Sequence, residues 1–148
     1  MIPLSSIHPD VELRDYLKEK ISVYDGHEYS YVKVYSDHEH PTNGLPDDFL
    51  VVYPNGSYGG LGTDIDFARG NLRIDLYCKM NDDGSIKSNR IDKLLAQFDS
   101  LVDKRATKNF FYQYDVNRFI TPTTPNYTTG YSLTMLNLRW TTTQSFNK

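Results

Sequence analysis

Histidine and carboxylate side chains cluster in one short polar segment of this sequence. His38 and His40 flank Glu39, and in an extended segment side chains two residues apart point to the same side. With His27 nearby in the sequence, these groups could complete a tetrahedral metal site. The segment runs directly into residues 41–44, Pro-Thr-Asn-Gly, a composition typical of solvated loops. A polar surface loop is therefore the favoured interpretation, and a metal site is the alternative hypothesis.

Two further segments resemble ligand-binding loops but lack chemical features that those loops need. Residues 59–62, Gly-Gly-Leu-Gly, could form a phosphate loop, which requires a helix to begin directly after the glycines. Asp64 and Asp66 follow instead, and carboxylates repel phosphate. Residues 81–85 resemble a calcium loop without its alternating acids or its closing glutamate. Because the chain also has no Gly-x-Ser-x-Gly motif, we expect a protein that is not an enzyme and needs no cofactor.

Length and composition indicate one globular domain covering residues 1–148. The net charge is −3 and lysine and arginine form no cluster, which disfavours binding to a phosphate backbone. Cys78 is the single cysteine, so an internal disulfide and a cysteine-rich zinc site are excluded. The sequence has no stretch apolar enough for a membrane span and no secretory signal pattern at Met1. We therefore expect a soluble protein made in the cytosol.

Two amphipathic helices are predicted from the spacing of apolar residues. The first is expected to begin at Pro9 and to run to the turn signal Asp25-Gly26. The second is expected to be capped by Asn89 and Asp92 and to end at Lys104-Arg105. Their apolar stripes recur every three or four residues: Leu13, Leu17 and Ile21 in the first helix, and Ile91, Leu94, Leu95, Phe98, Leu101 and Val102 in the second.

Strands are predicted in the remaining periodic segments, at residues 29–35, 49–53, 71–79, 110–116 and 131–141. In the last of these, the apolar residues change from odd to even positions, which indicates a bulge or burial on both faces. Long segments without periodicity connect the elements, at residues 37–48, 54–70 and 121–130. The pattern favours an α+β fold, with a mostly antiparallel or mixed sheet of about five strands and both helices packed on one face.

The clearest alternation lies in residues 71–79. One side of this predicted strand is apolar: Leu72, Ile74, Leu76 and Cys78. The other side consists of Arg73, Asp75, Tyr77 and Lys79. This pattern is typical of a strand with one face on a core and one face open to water or to a partner. The mixture of both charges with an aromatic ring suits a subunit interface, and the alternative is an ordinary solvated sheet face.

Four segments and the order of the elements resemble one protein family. The segments are residues 10–17 (DVELRDYL), 70–79 (GNLRIDLYCK), 91–98 (IDKLLAQF) and 130–138 (GYSLTMLNL). Over nearly the whole chain, they resemble the tail terminator and tail-completion proteins of long-tailed bacteriophages. The resemblance implies a structural virion protein that forms a hexameric ring at the head-proximal end of the tail tube, stops tube polymerisation and joins the tail to the head.

The resemblance also implies a set of partners and a location. The partners would be further copies of this chain, the tail tube protein and the head connector or stopper proteins. DNA would only pass through the ring, without sequence-specific binding, and no membrane would be involved. We expect the protein in the tail or neck of the virion after synthesis in the host cytoplasm.

Two sets of residues are candidates for roles in such a ring. The expected subunit interface consists of Arg73, Asp75, Tyr77 and Lys79. The expected lumen-facing acids, which would repel phosphates and let DNA slide, are Asp64, Asp66, Asp82 and Asp83. The alternatives are a stopper or adaptor protein of the neck, an unrelated α+β module, or a small metal-dependent enzyme or binding domain that uses the histidine-rich segment.

Overall fold

The computed structural model describes residues 8–24, 26–37, 44–54, 59–60, 68–123 and 130–143. Two helices lie in these residues, α1 (Pro9–Leu17) and α2 (Ser88–Val102). The strands are β1 (Ser22–Tyr24), β2 (Tyr29–Tyr31), β3 (Lys33–Ser36), β4 (Asp48–Pro54), β5 (Gly59–Gly60), β6 (Ala68–Lys79), β7 (Arg105–Ala106), β8 (Phe110–Thr123) and β9 (Tyr131–Thr142). No helix in the described ranges is both long and apolar enough to cross a membrane.

Most of the strands join one mixed sheet. The hydrogen-bonded strands of this sheet follow the order β3, β4, β6, β9, β8 and β7. The short strand β5 pairs with β6 in addition. β3 and β4 run parallel, and the other pairings of the described sheet are antiparallel. β1 and β2 form a separate antiparallel hairpin. The predicted α+β class with a mixed sheet is confirmed, and the added strands are short ones in which no periodicity can develop.

The strand predicted at residues 29–35 is divided between the hairpin and the sheet. Tyr29–Tyr31 is β2, whereas Lys33–Ser36 is β3 and pairs with β4. Val32 lies between them, is buried, and donates its N–H to the carbonyl of Ile21 at 2.8 Å. Because the alternation continues through the break, the sequence alone indicates a single strand.

Both helices pack on the same face of the sheet. This face is built from alternate residues of β6, which are Leu72, Ile74, Leu76 and Cys78. The helices contribute Leu13 and Leu17 from α1, and Ile91, Leu94, Phe98 and Val102 from α2. Each buried side chain of this size stabilises the fold by about 1.5–3 kcal/mol. The core therefore follows the two apolar stripes that the sequence predicts.

α1 is shorter than the sequence indicates. It begins at Pro9 as predicted and ends at Leu17, well before the expected turn at Asp25-Gly26. Glu19 has a positive φ of 59°, a backbone conformation that ends a right-handed helix. Ile21 stays buried although it lies beyond the helix, so its spacing from Leu17 reflects the core and not a continuous helix.

α2 ends at Val102, two residues before the predicted Lys104-Arg105, and its first turn is not capped as predicted. Lys87 is the residue that precedes the first turn, and no side chain caps that turn. The expected caps Asn89 and Asp92 lie inside the helix, so this prediction is wrong. At the other end, Lys104 has a positive φ of 56°, and Arg105 Nε donates to the carbonyl of Ser100 at 2.8 Å. A cation close to the last carbonyls stabilises a helix end.

β9 is buried on both faces over its first half, which confirms one of the two predicted explanations for its pattern. Leu133 and Met135 pack on one side, and Leu136 begins the side that faces the helices. The irregular pairing falls in the neighbour, where the register of β8 against β9 shifts between Tyr114 and Phe119. A shift of this kind bends a strand and increases its twist.

Thr134 and Thr142 of β9 differ in how their buried hydroxyl groups are satisfied. Thr142 Oγ1 accepts a hydrogen bond from the N–H of Ala68 at 3.0 Å, whereas Thr134 Oγ1 has no partner within the described residues. We expect Thr134→Val to raise the free energy of unfolding by about 1 kcal/mol, because it removes an unsatisfied polar group. Thr142→Val should lower it by about 1–2 kcal/mol. Urea denaturation checks both, and an equal loss in the two variants would contradict the prediction.

Candidate functional site

The predicted interface row of β6 lies opposite the helices, as expected, but its two middle residues are covered within the monomer. Asp75 is 0% exposed and Tyr77 2%, so the expectation of a solvent-facing row is wrong for these two residues. The side chain of Arg73 is 33% exposed and that of Lys79 is 55% exposed. The two ends of the row are therefore the parts that reach the surface.

Tyr77 belongs to a second apolar cluster on this face of the sheet. Its ring stacks on Phe49, with centroids 4.6 Å apart and planes 7° apart, and Tyr131 meets Phe49 edge-on at 5.6 Å. Val51 and Leu133 are the other buried members. Aromatic pairs of this kind add about 0.5–1.5 kcal/mol to the effect of burial alone. Tyr77 thus stabilises the monomer.

Asp75 is held by Arg73, two residues earlier on the same face. The guanidinium donates from Nε and Nη2 to the two carboxylate oxygens at 2.7 and 3.0 Å. The same guanidinium lies 4.7 Å from the ring centre of Tyr53, a favourable cation–π distance. Burial raises the pKa of Asp75 above its usual range, and the positive charge of Arg73 opposes that shift without cancelling it. The Asp75 carboxylate is therefore placed where water cannot replace Arg73, whereas the partly exposed Arg73 keeps access to water.

The predicted lumen-facing acids fall partly within the described ranges. Asp82 and Asp83 are exposed in the turn between β6 and α2, as a solvated acidic turn requires. Asp83 accepts hydrogen bonds from the Ser85 hydroxyl and backbone N–H, and these bonds lower the pKa of its carboxyl group. Asp64 and Asp66 lie outside the described residues. The lowered pKa favours the negatively charged form of Asp83.

The alternative metal site cannot be assembled from the described residues. His27 is exposed in a bend, and the other three candidates, His38, Glu39 and His40, lie outside the described ranges. Within those ranges no group of three potential metal ligands occurs. Cys78 is buried on the helix-covered face, and burial raises the pKa of its thiol, a setting that suppresses the reactive thiolate.

The outer edge of β8 is only partly covered. β7 pairs with Phe111 and Tyr112. Next along the strand, the N–H of Tyr114 donates to the Asp103 carboxylate at 3.1 Å, and the N–H of Val116 donates to Asp115 Oδ1 at 2.8 Å. No described strand pairs with the outer side of residues 117–123. Val116, at the start of that open stretch, is 88% exposed.

A cleft of about 950 Å³ lies between the hairpin β1–β2 and the first half of α2. Tyr24 and Tyr29 line it on the hairpin side, and Lys87, Arg90 and Lys93 line it on the other. Sequence analysis missed this feature, because it extended the first helix through the region of Tyr24. The available signal was an Asp-Gly dipeptide between two tyrosine-containing segments, which is typical of a hairpin.

No model of a known protein family matches this chain, and no curated protein matches it. The resemblance to phage tail terminators therefore stays a prediction that rests on the sequence.

Arg73→Ala and Asp75→Asn remove opposite halves of the ion pair on β6. We expect Arg73→Ala to lower the free energy of unfolding at neutral pH by about 3 kcal/mol, because it leaves a buried carboxylate without its counter-charge. Asp75→Asn should cost much less, because a neutral amide needs no counter-charge and Arg73 can reach water. Urea denaturation of the two variants measures the difference, and equal costs would contradict it.

The same pair predicts a pH dependence. The pKa of Asp75 is raised in the folded state, so protonation of Asp75 favours the folded protein. This contribution to the free energy of unfolding is complete below the unfolded-state pKa and is lost as the pH rises through the folded-state pKa. Arg73→Ala raises that pKa further, so its deficit relative to the unaltered chain should shrink as the pH falls towards about 4. Asp75→Asn serves as the control and should show no such recovery.

Proposed function

We propose that this chain is a structural assembly protein, a tail terminator of a long-tailed bacteriophage. In this role it forms a ring at the head-proximal end of the tail tube, stops tube polymerisation and joins the tail to the head. The sequence segments that resemble this family suggest the class of protein. A feature of the subunit surface supports self-assembly on physical grounds. A stopper or adaptor protein of the neck is the neighbouring alternative, because it differs chiefly in the partner that it contacts.

The observation that carries the proposal is the outer edge of β8, which no described strand covers beyond Val116. A strand edge with free N–H and C=O groups is a template for pairing with another chain. The Asp103 carboxylate accepts from the N–H of Tyr114 and the Asp115 carboxylate from the N–H of Val116, and beyond that point no described strand covers residues 117–123. The exposed Val116 marks the boundary. An assembling subunit can use such an edge, whereas a monomer gains nothing from leaving it open.

The predicted interface residues have different roles under this proposal. Arg73 and Lys79 reach the surface and are proposed to contact a neighbouring subunit. Asp75 and Tyr77 act from inside the monomer, where Asp75 orients Arg73 and Tyr77 fixes the strand. The interface therefore depends on residues that never touch the neighbour.

The acidic residues Asp64, Asp66, Asp82 and Asp83 are proposed to face the lumen of the ring. Negative charge along a DNA channel lets the phosphate backbone slide without binding. For Asp83 the lowered pKa keeps that charge present in acidic surroundings as well. DNA is then cargo that passes through the ring and not a bound ligand.

Val116→Lys tests the proposed interface against a matched control. We expect the unaltered chain to form a closed ring of about six copies and the variant to shift towards monomer, because lysine on an edge strand opposes pairing. The concentration at which the ring dissociates should then be about tenfold higher for the variant than for the unaltered chain. Native mass spectrometry and light scattering across a concentration series measure the distribution.

Ala96→Lys provides the control, since Ala96 is also exposed but lies on α2. It should leave the ring intact, and far-UV circular dichroism should show the same fold for both variants. An unaltered chain that stays monomeric at every concentration, or that stops at a dimer, would contradict self-assembly into a ring. A ring that survives Val116→Lys would contradict the assignment of the β8 edge.

A further inference from the structure

Large aromatic side chains project from the hairpin β1–β2. Tyr24 is 50% exposed, Tyr29 73% and Tyr31 59%. The rings of Tyr24 and Tyr29 touch, with centroids 5.0 Å apart and planes inclined by 49°, and both line the cleft beside α2. Tyrosine is enriched where proteins meet, because its ring is apolar and its hydroxyl can stay wet. Three exposed tyrosines on two short strands therefore indicate a contact surface.

The opposite wall of the cleft is positively charged. Lys87, Arg90 and Lys93 line it, and the described lining residues include no aspartate or glutamate. Arg90 is held by the buried carboxylate of Asp48 and supplies little charge to a ligand. The ion pairs of the described residues leave Lys87 and Lys93 without a carboxylate partner. In a chain of net charge −3, this wall is complementary to a negative ligand.

The edge of β1 offers backbone groups to the same space. The Gln97 side chain bonds both backbone groups of Ser22: its Oε1 accepts from the Ser22 N–H at 3.0 Å, and its Nε2 donates to the Ser22 carbonyl at 2.8 Å. Those groups therefore point away from β2 and towards α2. Because this direction alternates along an antiparallel strand, the N–H and C=O of Tyr24 point the same way. An extended peptide can pair with such groups.

We propose that this cleft binds an acidic, extended segment of a partner protein. Carboxylates of that segment meet Lys87 and Lys93, its apolar side chains pack on Tyr24 and Tyr29, and its backbone pairs with the edge of β1. No lining residue belongs to β8, so the cleft functions independently of the proposed ring.

A single-stranded nucleic acid fits the same cleft less well. Two lysines without a carboxylate partner among the described residues neutralise few phosphates, and phosphate neutralisation supplies most of the affinity of such complexes. The rings of Tyr24 and Tyr29 lean on each other and do not present successive open faces on which bases stack. A peptide also uses the backbone groups of β1, for which a nucleic acid has no regular counterpart.

Fluorescence anisotropy with three labelled probes tests the proposal on the full chain. The probes are a short peptide in which glutamate alternates with leucine, the same peptide with lysine in place of glutamate, and a single-stranded oligothymidylate of equal charge to the first. We expect the acidic peptide to bind with a dissociation constant in the micromolar range. The basic peptide and the oligothymidylate should bind at least about tenfold more weakly.

Charge-reversal variants locate the binding. Lys87→Glu combined with Lys93→Glu should weaken binding of the acidic peptide by about tenfold or more. Lys18→Glu combined with Lys108→Glu, at two exposed lysines that do not line the cleft, changes the net charge equally and should have little effect. Circular dichroism confirms the fold of each variant.

Three results would overturn the proposal. The first is no binding of the acidic peptide, and the second is tighter binding of oligothymidylate, which would make the cleft a nucleic-acid site. The third is an equal loss of binding in the two charge-reversal pairs, which would assign the effect to overall charge. Each of these results concerns ligand binding in the cleft only. A negative result would therefore leave the test of ring formation unaffected.

Discussion

Strand β6 is buried on both faces over residues 74–78, and the rest of the structure is arranged around that constraint. A strand covered on both sides has no solvent face, yet Asp75 lies in the middle of this stretch. Its carboxylate therefore has to be paired within the monomer. Arg73 does this from two residues away, because side chains at that spacing lie next to each other on one face of a strand. The second apolar cluster then closes over the remaining part of the face.

The helix-covered face contains a related arrangement. Asp48, at the start of β4, has a side chain that is 4% exposed, and Arg90 of α2 binds both of its oxygens. This pair ties the sheet to the first turn of a helix that has no side-chain cap. In each pair the arginine keeps some contact with water while the carboxylate has almost none. The carboxylate is therefore the partner that cannot tolerate the loss of the other.

Sequence periodicity predicted the parts of the fold in which burial repeats regularly, such as the stripe of α2 and the core side of β6. It failed where a tertiary contact decides the backbone. Ile21 keeps helical spacing from Leu17, but its carbonyl pairs with the N–H of Val32 and the chain has already left the helix. It failed again at Asp75 and Tyr77, which were predicted to be exposed because their side chains are polar but are buried in the structure. The Asp-Gly dipeptide could have indicated the hairpin wall of the cleft, but the opposite wall could not be predicted, since it comes from a segment far away in the sequence.

The strand order of the sheet ends at β3 on one side and at the two-residue strand β7 on the other. β7 covers only Phe111 and Tyr112 of its neighbour β8, so no described strand pairs with the outer side of the distal half of β8. Pairing of β8 with β8 would be isologous and would stop at a dimer, whereas pairing of β8 with β3 of the next copy is heterologous and continues. Continued pairing closes into a ring only if each step turns by a constant angle. In the proposed ring, the hydrogen-bonded N–H groups of Tyr114 and Val116 would leave a neighbour the stretch after Val116, where no described strand pairs, and that restriction would favour a single repeated geometry over alternative registers.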